Sequence, residues 1–156
     1  MNVKDVMTTP VETVGPEATW KEVAERMLDS RVSGLPVVDG VGYLLGVVTE
    51  ADLLSKPAFG DQRHRSLAAV IDLMTGAARW AGKANALTAA QLMSTAVITA
   101  APYESIKVAA QRMLDYEVKR LPVLDGGQLV GIVSRTDIVR SILHRSAVKA
   151  GFLDAT

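Results

Sequence analysis

Two four-residue stretches carry the side chains best suited to chemistry, Thr49-Glu50-Ala51-Asp52 and Ser134-Arg135-Thr136-Asp137. Each follows an apolar run, "LLGVV" or "LVGIV", and leads into an apolar pair, "LL" or "IV". A hydroxyl three positions before an acid fits the capping box. The hydroxyl accepts from an orphan N–H at a helix start and the acid reaches back, with Asp in place of the usual Glu or Gln. The same pair can serve as half of a ligand site. A helix N-terminus offers N–H groups and a positive dipole end, yet a carboxylate in the first turn repels a phosphate set directly against it. An ionised Asp only accepts hydrogen bonds, so its two oxygens suit the adjacent hydroxyls of a neutral diol. The residues leave both readings open, and the two are compatible.

The elements that must position these pairs are written twice. Laying "VMTTPVETVGPEATWKEVAERMLDSRVSGLPVVDGVGYLLGVVTEADLL" over "LMSTAVITAAPYESIKVAAQRMLDYEVKRLPVLDGGQLVGIVSRTDIV" pairs Met7 with Met93, Pro16 with Pro102 and "RMLD" with "RMLD". It also pairs "LPVVDG" with "LPVLDG" and, after a one-residue gap near Gly42, Gly46 with Gly131 and Asp52 with Asp137. Such self-similarity marks a repeated supersecondary unit. In each copy an extended piece ("VETV", "VITA") and a proline precede a helical stripe: Trp20, Val23, Ala24, Met27 and Leu28, or Ile106, Ala109, Ala110, Met113 and Leu114. The i, i+3, i+4, i+7, i+8 spacing predicts amphipathic helices. Two apolar runs follow, separated by Asp39-Gly40 or Asp125-Gly126, a strong hairpin signal. The unit reads β–α–β–β–α, an α/β (α+β) pattern, and one unit is too small to close a core alone. Two packed sheet to sheet would bury it.

Composition sets the outer limits. The chain has 156 residues, of which 49% are apolar, ample for a packed core. Seventeen Lys and Arg balance seventeen Asp and Glu, so no global field recruits nucleic acid or an anionic membrane. The absence of cysteine removes disulfides, thiolate catalysis and zinc–cysteine sites together. His64 and His144 lie far apart and form no metal-ligand spacing. The N-terminus "MNVKDVMTTP" lacks an apolar signal region, and no run approaches the roughly 18 apolar residues of a membrane span. A cytoplasmic protein without a metal, a catalytic cofactor or enzymatic activity is expected. Asp52 and Asp137 fall in separate copies, and no nucleophile with a base is present.

The two arms together resemble the cystathionine β-synthase (CBS) domain, whose tandem pair is called a Bateman module. Each short motif is weak alone; their order, repeated, is specific. The resemblance implies two halves related by a pseudo-twofold, with clefts between the repeats that bind adenosine-containing ligands such as AMP, ADP, ATP or S-adenosylmethionine. It implies sensing rather than catalysis, signalled through conformational change or dimer rearrangement, and a homodimer or an effector protein or domain as partner. By the same resemblance Asp52 and Asp137 hold ribose hydroxyls, with Thr49 and Ser134 beside them. Thr13 and Val14, Thr99, Ala100 and Ala101, and Gly34, Leu35, Leu121 and Pro122 at the start of each "LPV" occupy the family's adenine slot. The alternative is a dimerisation or partner-docking module without a small ligand.

Phosphate is where the copies differ. The second has Lys119-Arg120 before "LPV" and Arg135 inside "SRTD"; the first has Ser33-Gly34 and Glu50. Arg forks onto phosphate oxygens and Lys adds a point charge, so a nucleotide is expected at the second copy and a less charged ligand, or none, at the first. The expected boundaries are residues 1–54 and 89–145 for the repeats, a linker over 55–88, and a tail over 146–156. In the linker, Leu67, Val70, Ile71 and Met74 share one helical face. Arg63-His64-Arg65 and Trp80 read as a short basic turn followed by a packing tryptophan.

Overall fold

Thr19 opens the first helix by a reciprocal cap. Its Oγ1 accepts from the Glu22 N–H at 3.3 Å, and the Glu22 carboxylate accepts from the Thr19 N–H at 2.7 Å. This computed structural model describes residues 1–59 and 87–149, with side chains of 56–59 and 146–149 left aside. The linker helix, Arg63-His64-Arg65, Trp80 and the end of the tail lie outside the described residues. The elements are a 3₁₀ turn over Val3–Asp5, α1 (Trp20–Asp29), β1 (Gly34–Val38), β2 (Leu44–Thr49), α2 (Glu50–Phe59), α3 (Ala89–Leu92), α4 (Ile106–Asp115), β3 (Arg120–Asp125), β4 (Gln128–Ser134) and α5 (Arg135–Lys149).

The two repeats give two small antiparallel sheets, β1 with β2 and β3 with β4. The expected leading strands shrink to single parallel bridges, Val14 beside Val37 and Ala100 beside Val123. Val14 donates to the Pro36 carbonyl and accepts from Val38, each at 3.0 Å, and Ala100 repeats the pattern with Pro122 and Leu124 at 2.9 Å. Two positions on stand Pro16 and Pro102, which have no N–H to extend a ladder. At the β3–β4 turn Gly126 and Gly127 take φ of 58° and 87°, the pair of positive angles a two-residue type I′ turn requires.

The compact units cut the chain differently from the repeats. The first unit spans Glu12–Val97, and the second joins Met1–Val11 to Ile98–Thr156. Each hairpin is therefore flanked by the lead-in of the other copy. Thr8 exchanges backbone hydrogen bonds with Ile132 at 2.8 and 3.1 Å, and Ser94 does so with Val47 at 2.9 and 3.0 Å. A glycine makes room at each place. A Cβ on Gly46 would lie 2.7 Å from Met93 Sδ, and one on Gly131 would lie 2.9 Å from Met7 Cγ.

The first unit's core gathers Val14, Val23, Met27, Leu35, Val37, Val48, Leu53, Ala89 and Leu92. The second gathers Val3, Ala100, Ala109, Met113, Leu121, Val123, Val133 and Ile138. Each fully buried Val, Leu or Met adds about 1.5–3 kcal/mol. The helical stripes are narrower than their spacing predicts, since Leu28 and Leu114 are 77% and 60% exposed. Both sit at the i+8 position, which has rotated to the edge of the buried face.

Candidate functional site

In both units a strand passes into a helix without a loop. β2 ends on Thr49 and α2 begins at Glu50; β4 ends on Ser134 and α5 begins at Arg135. The start of the preceding strand lies directly across, Gly34 opposite Thr49 and Arg120 opposite Ser134. The carbonyl before that strand caps the helix, with Ser33 accepting from the Glu50 N–H at 3.1 Å and Lys119 from the Arg135 N–H at 3.0 Å.

The hydroxyl and the aspartate complete the cap. Thr49 N–H and Oγ1–H both donate to Asp52 Oδ2 at 2.9 Å, and the Asp52 N–H donates back to Oγ1 at 3.4 Å. Ser134 N–H and Oγ–H donate to Asp137 Oδ2 at 2.8 and 2.6 Å, and the Asp137 N–H returns to Ser134 Oγ at 3.2 Å. The first and third N–H groups of each helix are thereby engaged, so neither terminus is an open anion nest. An anion placed here would depend on side chains for charge-assisted contacts.

Those side chains differ between the units. In the second, Lys119 is exposed and Arg120 is half-buried, on the same strand pair as Ser134. Asp137, 15% exposed, has its other oxygen, Oδ1, 3.6 Å from Arg140 Nη1, whose side chain is 75% exposed. Sequence reasoning missed Arg140; its signal was the i+3 spacing from Asp137. The position matching Arg140 in the first unit is Ser55, and those matching Lys119 and Arg120 are Ser33 and Gly34. Arg135 points elsewhere. Its Nε donates to the Val118 carbonyl at 3.1 Å and its Nη2 to the Met113 carbonyl at 3.0 Å.

The residues of the expected adenine slot divide. Val14, Ala100, Leu35 and Leu121 are buried in the two cores, and Pro122 is buried with them. The N–H and C=O of Val14 and Ala100 are bonded within the sheets. Thr13, Gly34 and Thr99 are half-buried and Ala101 is exposed. The Thr99 carbonyl accepts from Arg112 Nη1 at 2.7 Å, and Arg112 is also paired with Glu104 at 2.9 Å. Among the described residues no group of three or more His, Cys, Asp or Glu is arranged to hold a metal ion. No helix among them is long and apolar enough to cross a membrane.

Two copies of a hairpin that ends in a hydroxyl-x-x-Asp helix start define a tandem repeat module. The chain belongs to the CBS domain family, whose profile matches it twice, over residues 3–58 and 89–144. It is 33% identical over 150 residues to the CBS domain-containing protein YhcV of Bacillus subtilis, covering 96% of this chain and 91% of that protein. Among solved structures it is similar to CBSX2 from Arabidopsis thaliana, 27% identical with a TM-score of 0.74 over 93% of this chain and 96% of that one. CBSX2 has also been solved in complex with AMP. A further likeness, 26% identical with a TM-score of 0.68 over 93% of this chain and 98% of that one, is to the CBS domain pair of protein MJ0100. That structure holds 5-methylthioadenosine and S-adenosyl-L-methionine.

Proposed function

We propose that this CBS pair is a regulatory module that binds an adenosine-containing ligand, AMP, ADP, ATP or S-adenosylmethionine, and senses rather than catalyses. The observation that carries the reading is the ladder register that sets Arg120 opposite Ser134, with Asp137 one helical turn beyond. Asp137 and Asp52 accept from ribose hydroxyls, Ser134 and Thr49 stand beside them, and Lys119 and Arg120 meet phosphate. Thr13, Gly34, Thr99 and Ala101 are the accessible part of the adenine slot. The ligands held by CBSX2 and by MJ0100 support the class.

The charge difference favours a phosphate-bearing ligand at the second unit. Titration calorimetry and thermal shift with adenosine, AMP, ADP, ATP and S-adenosylmethionine test this. Binding raises the melting temperature by mass action. A panel without heat or shift at near-millimolar ligand would reject the reading.

One observation favours a second role alongside the first, pairing of two chains. Val139, Ile142 and Leu143 leave an apolar stripe exposed on α5, and Leu114 and Tyr116 are exposed at the end of α4. Light scattering that finds only the 16.6 kDa species at micromolar concentration would exclude it.

A further inference from the structure

The end of α4 is fastened differently from the end of α1. In both, the residue after the helix end adopts a left-handed conformation, Arg31 at φ 54° and Glu117 at φ 55°. After α1 the backbone closes on itself, because the Val32 N–H donates to the Met27 carbonyl at 3.0 Å. The matching carbonyl after α4, that of Met113, accepts instead from Arg135 Nη2 at 3.0 Å. Arg135 makes two more bonds to the same short turn, Nε to the Val118 carbonyl at 3.1 Å and its backbone N–H to the Lys119 carbonyl at 3.0 Å. Glu50, its counterpart in the first unit, has the backbone bond, to Ser33 at 3.1 Å. A carboxylate cannot donate to carbonyls, so the two side-chain bonds have no equivalent there.

We infer that Arg135 is a positioning residue for anion specificity: it locks the turn from Met113 to Lys119 and so sets the direction in which Lys119 and Arg120 leave that turn. The guanidinium suits the task because its planar fork offers donors at fixed angles to two carbonyls at once, whereas an ammonium offers a single point. This deepens the ligand reading above and rests on it. It also assigns Arg135 a role distinct from direct phosphate contact, and it gives a reason why the turn before Lys119-Arg120 is held by a side chain where the turn before Ser33-Gly34 is closed by the backbone.

The test uses the full chain with Arg135→Lys, Arg135→Ala and wild type, and two probes, AMP and adenosine. Both variants should weaken AMP by roughly three- to tenfold, as expected for the loss of one or two net hydrogen bonds, and leave adenosine unchanged. Amide hydrogen exchange at Tyr116 and Glu117, measured without ligand, should quicken in both. Retention of AMP affinity by Arg135→Lys with loss in Arg135→Ala would mean direct charge contact and overturn the proposal. So would an equal fall in both ligands, which marks a general structural role, or unchanged exchange at Tyr116 and Glu117. The exchange measurement needs no ligand. If wild type bound neither probe, the ligand reading would fall, and the exchange result would still decide whether Arg135 holds the turn.

Discussion

The indole Nε1 of Trp20 donates to the main-chain carbonyl of Leu53 at 3.0 Å, tying α1 to α2. The residue four positions beyond Leu53, whose N–H would serve that carbonyl in a regular helix, is Pro57. The tryptophan therefore supplies a donor that the proline removes, and a part-buried carbonyl keeps a partner. Trp20→Phe should cost about 1–3 kcal/mol through the unsatisfied carbonyl. In a Pro57→Ala background the N–H returns and the penalty should shrink. A double-mutant cycle on chemical denaturation measures the coupling, and purely additive effects would show that the bond does not compensate for the proline.

The left-handed residues Arg31 and Glu117 allow a direct test of helix termination. Each places a Cβ where glycine has none, at φ 54° and 55°. Arg31→Gly and Glu117→Gly should each stabilise by about 0.5–1 kcal/mol, net of glycine's larger unfolded-state entropy. Melting temperatures of the two variants report it, and a fall in both would contradict the strain argument.

Gly46 and Gly131 occupy matching places and should respond differently to rescue. A Cβ on Gly131 meets the flexible side chain of Met7, while one on Gly46 meets both Met93 and the Ser94 backbone carbonyl at 2.7 Å. Gly131→Ala and Gly46→Ala should each cost about 1–3 kcal/mol by overpacking. The Met7→Ala background should relieve the first cost, but Met93→Ala should not relieve the second, because the backbone obstacle remains. Denaturant midpoints of the four single and two double variants decide.

Glu22 gives a pH-dependent signature. The hydrogen bonds from the Thr19 backbone and then from its hydroxyl lower the carboxyl below its ordinary value of 4.5. A carboxyl depressed in the folded state adds stability above its unfolded value and loses it as pH falls through the folded one. Glu22→Gln should therefore be less stable than wild type at neutral pH, with the gap closing below about pH 4. A gap that persisted unchanged into strong acid would rule out the ionic origin.

The repeat, both helices, both hairpins and the hydroxyl-x-x-Asp pairs were legible because each rests on local spacing or on matching residues such as Gly46 with Gly131. The exchange of lead-in segments was not, since periodicity within Val3–Asp5 or Ala89–Leu92 does not say which hairpin the segment flanks. The fate of "VETV" and "VITA" also depended on non-local partners, Pro36 and Pro122, and their buried valine and alanine read equally well as slot or core. Arg135 shows the same limit. Its type fits phosphate, and only the orphan carbonyls of Met113 and Val118 reveal another use.

Asp137 is where cap and ligand site must be separated. Its Oδ2 already accepts two bonds from Ser134, and Oδ1 faces Arg140. Asp137→Ala should lose the cap, at about 1 kcal/mol of folding stability, and so melt lower without ligand. If the carboxylate also holds a ribose, the folded variant should bind AMP and S-adenosylmethionine more weakly by roughly one to two decades, the value of charge-assisted hydrogen bonds. Arg120→Ala should weaken AMP while leaving adenosine nearly untouched if its side chain meets the phosphate, as proposed, because adenosine lacks that group. Calorimetry well below the variant's melting temperature keeps the two effects apart. Equal affinities for wild type and Asp137→Ala, with the melting temperature lowered, would make Ser134-x-x-Asp137 a helix cap alone.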